Sequence, residues 1–322
     1  MTRSARLLLL AALTGLLFAA SLACGKVWVP FSAWGSGDPR WWIIVELRLP
    51  RAVLATMLGA SLGLSGAVLQ GYLRNPLADP AVVGVSASAA LGAVAAIVLG
   101  AATPPLMFAA AMAGAAGSMA LLAALTWRST SAVTFILAGT VLASLAGALT
   151  AFLISVAPDP YAVAAVIDWL MGALTDRGWE EVRLAAAPML VGCALLALTA
   201  PALDALALGE PAARTLGVRP GRLRALIVLG VGLTVGGGVA VTGVVGFVGL
   251  IVPHLLRPVF GHRPAALLLP SAIGGAALLL AADSLVRLAP GAGEVRLGVA
   301  MALIGAPFFL VLLVRERGRA WI

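Results

Sequence analysis

The sequence predicts an all-α membrane protein with about ten transmembrane helices. Hydrophobic residues make up 62% of the 322 positions and charged residues only 11%, which is more apolar surface than one soluble core can bury. Several windows exceed the roughly 18 apolar residues that mark a membrane-spanning helix. These runs are continuous and lack a two-residue alternation, which argues against a transmembrane β-barrel.

We predict a single transmembrane domain over residues 1–322, with no soluble domain. Apolar windows, taken in chain order between polar or proline-containing breaks, give ten predicted spans: 5–24, 50–70, 82–101, 105–126, 132–154, 184–203, 222–242, 244–258, 266–288 and 294–314. The tryptophan-rich stretch 25–49 and segment 155–183, with Trp169 and Trp179, are typical of chain at the membrane interface. A cleaved signal peptide is the alternative for the first span, because Arg3 and Arg6 precede its apolar run.

The distribution of charge predicts that both termini lie in the cytoplasm. With the N-terminus inside, the inner loops and ends contain 13 cations and four acidic residues, and the outer ones contain eight cations and nine acidic residues. An excess of arginine and lysine on the cytoplasmic side is the usual determinant of orientation. The net charge of +8 is therefore explained by topology and does not indicate a nucleic-acid partner.

No motif for catalysis or metal binding occurs in the sequence. The one lysine, Lys26, is not part of a phosphate-binding loop. His254 and His262 have no carboxylate or cysteine at metal-ligand spacing. Asp283 is a candidate for a proton relay, but Arg287 four residues later makes an intrahelical ion pair the simpler explanation. We expect a transport protein without a catalytic residue, a metal or a cofactor of its own.

Two proline-containing stretches are predicted to break the membrane helices beside a transport pathway. Irregular backbone at membrane depth is tolerated where it lines a cavity or is buried in protein. A scaffolding role for the individual residues stays open, and a faint repeat between 65–76 and 242–257 favours an inverted repeat. The residues concerned are Gly66, Gln70, Arg74, Asn75, Pro76, Asp79, Pro80, Pro253, His254 and Arg257.

Several short motifs follow one another in a distinctive order between residues 45 and 314. They are RLPR at 48–51, RNPLADP at 74–80, DWLMG at 168–172, LGE at 208–210, GFVGLIVPH at 246–254 and IGAPFF at 304–309. In order and spacing they resemble the permease family of ABC importers that take up iron–siderophore complexes, haem and cobalamin. One departure is Arg296, which stands where the family usually has a proline, and this puts the start of the last helix in doubt.

The resemblance implies that Arg48, Arg51 and Arg287 face the periplasm and bind glutamates of a substrate-binding protein. Arginine suits this role because its guanidinium binds a carboxylate through two parallel hydrogen bonds. Arginines that extend towards lipid headgroups are the alternative.

Near the opposite face, Ser129, Thr130, Ser131 and Thr134 form a candidate inner gate.

Segment 204–224 resembles the cytoplasmic coupling helices that contact the ATPase of such importers. Glu210 and Pro211 are predicted to start a helix and Gly217 to end it. A basic loop beside anionic lipid would look similar. The residues assigned to coupling are Leu208, Gly209, Glu210, Ala212, Arg214, Leu216 and Gly217.

Taken together, the resemblance implies a type II ABC importer permease in the bacterial inner membrane. It would act as a homodimer with two ATPase subunits, which bind ATP and Mg²⁺, and with a periplasmic substrate-binding protein. A ferric siderophore is the first candidate substrate, and haem and cobalamin stay open. The alternative is a secondary transporter or channel that works without an ATPase.

Overall fold

A computed structural model describes residues 2–127, 131–289 and 294–319, with side chains up to Val314. Within these ranges the chain forms helices and no β-strand, which confirms the predicted all-α class. The α-helices are α1 (Arg3–Ala23), α2 (Leu49–Leu73), α3 (Val85–Val98), α4 (Pro104–Thr126), α5 (Ala132–Ser155), α6 (Pro160–Leu170), α7 (Trp179–Ala197), α8 (Ala200–Leu206), α9 (Glu210–Thr215), α10 (Pro220–Thr242), α11 (Val248–Phe260), α12 (Pro264–Leu288) and α13 (Leu297–Arg319).

Each of the ten predicted spans corresponds to a helix or a helix pair. Among the described helices, α1, α2 with the preceding π-helical turn, α4, α5, α10, α12 and α13 are long and apolar enough to cross a membrane, and α7 with α8 forms a pair bent by 41°. Helices α3 and α11 have 14 and 13 residues, or about 20 Å at 1.5 Å per residue. The predicted spans 82–101 and 244–258 are therefore too long.

Helix α2 lies at the centre of the bundle, and glycines allow its neighbours to approach closely. A Cβ atom at Gly59 would lie 2.2 Å from the carbonyl oxygen of Gly275 on α12. A Cβ atom at Gly66 would lie 2.0 Å from the carbonyl oxygen of Gly249 on α11. Because apolar burial gives no driving force between helices in lipid, such close contact is a main source of their association.

The break in the second half of the bundle lies at residues 243–247, between α10 and α11. Pro253, His254 and Arg257, which we predicted as part of a break, lie inside α11. Gly243 has φ +71°, and a Cβ there would lie 2.2 Å from the carbonyl oxygen of Trp169. Residues 65–73 are helical whereas 243–247 are not, so the predicted inverted repeat has no matching conformation here and stays a prediction.

Helices α1 and α12 run in the same direction. Arg3, at the start of α1, donates to the carbonyl oxygen of Ala266 at 3.2 Å, near the start of α12. At the other end of α1, Ser21 accepts a hydrogen bond from Arg287 at the end of α12. Their relative direction agrees with the predicted topology, in which the first and ninth spans both run outward.

Candidate functional site

A buried cluster of arginines and carboxylates lies at the predicted outer end of the bundle. Arg51, near the start of α2, is 8% exposed. Its Nε and Nη2 atoms donate to Oδ1 of Asp283 on α12 at 3.0 and 2.9 Å. Asp283 is fully buried and also pairs with Nη2 of Arg287 at 2.9 Å. The predicted intrahelical pair between Asp283 and Arg287 is thus present, and Arg51 shares the same carboxylate.

The other two arginines with a predicted docking role are also bound within the chain. Arg48 donates through Nη1 to the carbonyl oxygens of Leu22 and Ala23 at 2.9 and 3.0 Å. Arg287 donates to the carbonyl oxygens of Ser21 and Cys24 at 3.0 and 3.2 Å. These acceptors lie at the end of α1, where helix carbonyls have no intrahelical partner and carry partial negative charge. Both arginines therefore fasten α1 to the bundle.

Glu294 closes the cluster on its exposed side. Its Oε2 atom lies 2.8 Å from Nη2 of Arg51 and accepts a hydrogen bond from the Thr175 hydroxyl at 2.8 Å. Partial burial raises the pKa of Glu294, but hydrogen bonds from Arg51 and Thr175 and the charges of Arg51 and Arg287 together lower this pKa below its usual value. Glu294 is therefore a carboxylate at neutral pH and contributes negative charge to the cluster.

The three arginines, Glu294 and Thr175 line one open cavity of about 510 Å³. Its charged lining contains more cations than acidic residues, and includes Lys26 and Arg177 beside the arginines of the cluster. Burial lowers the pKa of Arg177, although the carboxylates of Glu181 and Asp176 oppose that effect. An excess of positive charge in a cavity with apolar walls attracts an acidic partner. The three arginines thus share one cavity, as a docking site requires, although their role in docking is not tested by this geometry.

The start of α13 is fastened to the segment that follows α6. Arg296 forms an ion pair with Asp168 on α6, and the Gly298 amide donates to the carbonyl oxygen of Gly172 at 3.0 Å. A helix thus begins at Leu297 without the proline that the resemblance led us to expect, and the arginine in its place has a partner across the fold.

At the opposite end of the bundle, two of the predicted pathway residues form a buried hydrogen-bond network. Arg257 on α11 donates to Oε1 of Gln70 on α2 at 2.7 Å. The Gln70 amide nitrogen lies 3.3 Å from the carbonyl oxygen of Gly249 and 3.4 Å from that of Ala78. Gln70 therefore joins α2, α11 and the loop after α2, which supports the scaffolding alternative for this residue.

The loop after α2 has the irregular backbone that the sequence predicts. Arg74 adopts a left-handed conformation with φ +48° and ends α2. The Asn75 side chain accepts a hydrogen bond from the Leu77 amide at 2.9 Å. Asp79 accepts from the Ala81 amide at 2.9 Å and so caps a 3₁₀ turn, Pro80–Val83. The loop is thus stabilised by its own side chains.

The predicted coupling segment contains α9, which starts at Glu210 as predicted. Gly209 precedes it with φ +102° and Gly217 follows it with φ +85°, a conformation that favours glycine. Leu208 and Leu216 are 71% and 64% exposed, so they present apolar surface at this end. Arg214 and Ala212 lie on α9 itself.

Ion pairs connect this segment to the rest of the inner end. Glu210 lies 3.8 Å from Arg74, and Asp204 on α8 lies 2.6 Å from Arg263. Asp204 also accepts a hydrogen bond from the Ala265 amide at 2.9 Å, which caps the start of α12. A groove of about 1160 Å³ lies between α8, the start of α10 and the start of α12.

The structure describes two of the four residues of the candidate inner gate. Ser131 accepts a hydrogen bond from the Thr134 amide at 3.4 Å and caps α5, whereas Ser129 and Thr130 lie outside the described residues. Within the described ranges, no group of three or more His, Cys, Asp and Glu residues is placed to hold a metal ion.

Four residues that sequence reasoning did not assign to a site take part in these sites in the structure. Thr175 and Glu294 join the outer cluster, and Asp168 and Arg296 form the pair at the start of α13. The sequence shows an acidic residue at 294, at the start of the last predicted span. Nothing in the sequence indicates that its partner is Arg51, which lies 243 positions earlier. Only the packing of α2 against α12, and of α12 against α13, brings them together.

Among the described residues, seven helices, or eight with the bent pair α7–α8, are long and apolar enough to cross a membrane, and a polar cluster lies at each end of the bundle. This architecture is that of a polytopic membrane protein. The FecCD transport family model matches residues 8–315. The chain is 42% identical to the cobalamin import system permease BtuC of Halobacterium salinarum over 86% of this chain and 75% of the relative. It is 38% identical to the Fe(3+) dicitrate permease FecD of Escherichia coli K12, over 92% of this chain and 94% of the relative.

A solved structure with this fold gives the same result. The chain superposes with a TM-score of 0.89 and 32% identity on a metal-chelate type ABC transporter in an inward-facing conformation, over 97% of this chain and 99% of the other. The protein belongs to the FecCD transport family. The family resemblance in the motifs is therefore confirmed.

Proposed function

We propose that this protein is the permease subunit of an ATP-driven, binding-protein-dependent importer of metal chelates. The proposal rests on two candidate sites that lie at opposite ends of the helical bundle, in a chain that belongs to the FecCD transport family. The cationic outer cavity surrounds Arg48, Arg51 and Arg287, and the inner end presents α9 between exposed leucines. An importer driven by a separate ATPase needs contact with a partner at each face of the membrane.

The proposed assembly contains two copies of this chain, two ATPase subunits and one substrate-binding protein. The ATPase would supply ATP and Mg²⁺ binding, and the permease would have no cofactor of its own. Segment 204–224 is the proposed coupling surface of a single transmembrane domain, because exposed leucines flank α9, which carries the charges of Glu210 and Arg214. An apolar surface of this kind, rimmed by charge, is typical of a protein interface.

The proposed location is the bacterial inner membrane, with both termini in the cytoplasm. Arg74, Arg257, Arg263 and α9 all lie at the same end of the bundle as the start of α1. The orientation is supported by the balance of charge, because this end has the excess of cations over acidic residues that inner loops usually carry.

The proposed substrate class is a metal chelate, with a ferric siderophore as the first candidate and cobalamin and haem as alternatives. The relatives named for cobalamin and for ferric dicitrate are 42% and 38% identical to this chain. Such similar values do not separate one chelate from another.

Reconstitution in liposomes tests the proposal. Permease, ATPase and chelate-loaded binding protein together should accumulate chelate in the presence of ATP and Mg²⁺, and omission of any one protein should abolish uptake. The permease alone should hydrolyse no ATP. Uptake that proceeds without the ATPase and follows a proton or sodium gradient would contradict this function and favour a secondary transporter.

A further inference from the structure

We propose that Glu294 binds Arg51 at the position that a carboxylate of the binding protein takes on docking. Docking would then replace the Glu294 carboxylate with that of the binding protein. This inference rests on the proposed function, because it assigns a further positioning residue to the proposed docking site. It makes docking an exchange reaction at Arg51, in which the binding protein competes with a residue of the permease itself.

The geometry of the Arg51 guanidinium leaves one edge for such a partner. The edge formed by Nε and Nη2 binds Asp283. The remaining edge is formed by Nη1 and Nη2, and Oε2 of Glu294 lies 2.8 Å from Nη2. A carboxylate binds arginine most strongly when it accepts two parallel hydrogen bonds from one edge. An incoming carboxylate therefore has to displace Glu294 to bind in this way.

Of the two carboxylates on Arg51, Glu294 is the one that can leave. Asp283 is fully buried and pairs with Arg287 as well, so its departure would leave two buried arginines with only the partly exposed carboxylate of Glu294, which is strongly destabilising. The Glu294 side chain is 21% exposed and lines the outer cavity. When it leaves Arg51 it can be hydrated, so the exchange costs little.

The exchange would also reach the last helix. Glu294 stands three residues before Leu297, where α13 begins. The start of α13 is held by Glu294, by the ion pair of Arg296 with Asp168 and by the Gly298 amide bond. Displacement of Glu294 removes one of these three attachments. Docking at the outer face would thereby loosen the start of a membrane-spanning helix in the permease.

The test is the affinity of purified, chelate-loaded binding protein for the permease–ATPase complex in lipid nanodiscs. Glu294→Gln keeps the size of the side chain but weakens its bond to Arg51, so the binding protein should bind on the order of tenfold more tightly, which corresponds to about 1.4 kcal/mol. Thr175→Ala removes only the hydroxyl that orients Glu294 and should produce a smaller gain. Unchanged or weaker binding to both variants would overturn the exchange.

Glu46→Gln is the matched control, because Glu46 is an exposed carboxylate in the wall of the same cavity. It removes the same charge from the cavity but leaves the Arg51–Glu294 pair in place, so any gain in affinity should be well below that of Glu294→Gln. An equal gain in Glu46→Gln and Glu294→Gln would indicate a general charge effect and overturn the exchange.

Thermal unfolding of each variant shows that it is folded. If the wild-type complex does not bind the binding protein at all, the proposed function fails, whereas wild-type binding with no gain in Glu294→Gln refutes only this inference.

Discussion

Arg51 and Asp283, 232 positions apart in the sequence, form a buried ion pair in which both Nε and Nη2 of the arginine lie within 3.0 Å of one carboxylate oxygen. The pair joins α2 to α12 at the outer end of the bundle, about two helical turns from the close backbone contact of Gly59 with Gly275. Because Arg287 binds the same carboxylate, one fully buried acid pairs with two arginines. Glu294 supplies the second negative charge that this arrangement needs.

We predict that Asp283→Ala strongly destabilises the permease. The substitution leaves Arg51 and Arg287 buried beside one partly exposed carboxylate, and removal of one member of a buried pair typically costs about 3–5 kcal/mol. Thermal unfolding of the purified protein in detergent measures the loss. Asp38→Ala, which removes the partner of the exposed Arg40, is the control and should leave the unfolding temperature unchanged. Equal stability of the two variants would show that the buried cluster has no structural role.

We predict that Arg296→Pro is tolerated. The Arg296 carbonyl accepts a hydrogen bond from the Ala300 amide, and a proline keeps that carbonyl while it favours the start of a helix. The ion pair with Asp168, whose side chain is half-exposed, is worth about 1 kcal/mol at most. Chelate uptake should stay within a factor of two of the wild type. Loss of uptake in Arg296→Pro but not in Asp168→Ala would show that the arginine acts through something other than this pair.

The fold was largely predictable because long apolar runs leave few alternatives in a membrane. The predicted spans for α3 and α11 were too long because the apolar residues of the sequence extend beyond the ends of these helices. Val244 and Val245 are apolar, yet Gly243 turns the chain with a positive φ and the helix restarts only at Val248. Composition alone does not reveal such a turn.

The candidate sites were predictable only in part. Arg48, Arg51 and Arg287 were found through motifs, and Arg287 with Asp283 through helical spacing. It was not predictable that all three arginines form hydrogen bonds or ion pairs within the chain, since these contacts depend on where α1 ends relative to α2 and α12. Arg224 was missed for the same reason: it is buried at the inner end and donates to the carbonyl oxygen of Thr126 on α4.

We predict that Glu210→Ala and Arg214→Ala uncouple ATP hydrolysis from uptake. The 3.8 Å pair of Glu210 with Arg74 is exposed, so its loss should change the stability by less than about 1 kcal/mol, while the contact of α9 with the ATPase is altered. The amount of chelate transported per ATP should fall in proteoliposomes. Arg183→Ala removes an exposed arginine at the outer end and should keep the wild-type ratio. The same ratio in all three variants would exclude α9 from coupling.

We predict that Tyr161 faces the periplasm and Leu216 the cytoplasm. Both side chains are exposed, at 87% and 64%, and they lie on opposite sides in the topology that the loop charges favour. After Cys24 and Cys193 are replaced by serine, Tyr161→Cys should react with a membrane-impermeant maleimide in spheroplasts. Leu216→Cys should react only after permeabilisation. The reverse pattern would overturn the orientation and move the arginine cluster to the cytoplasmic face.

We predict that Arg51→Lys and Arg48→Lys weaken docking while the permease stays folded. Charge reversal is a poor test here, because a glutamate at 51 would stand against Asp283 and Glu294 and one at 48 against the carbonyl oxygens at the end of α1. Lysine keeps the positive charge but loses the planar fork that binds a carboxylate through two hydrogen bonds.

The affinity of the binding protein for each variant, measured in nanodiscs, should fall by at least about tenfold, and uptake should fall with it. Arg40→Lys is the matched control, since Arg40 lies on the same outer segment and pairs with Asp38 but does not line the cavity. It should bind the binding protein as the wild type does. If both cluster variants also bind normally and unfold at the wild-type temperature, Arg48 and Arg51 serve only to fasten α1 and α12 to α2, and the docking surface lies elsewhere on the outer face.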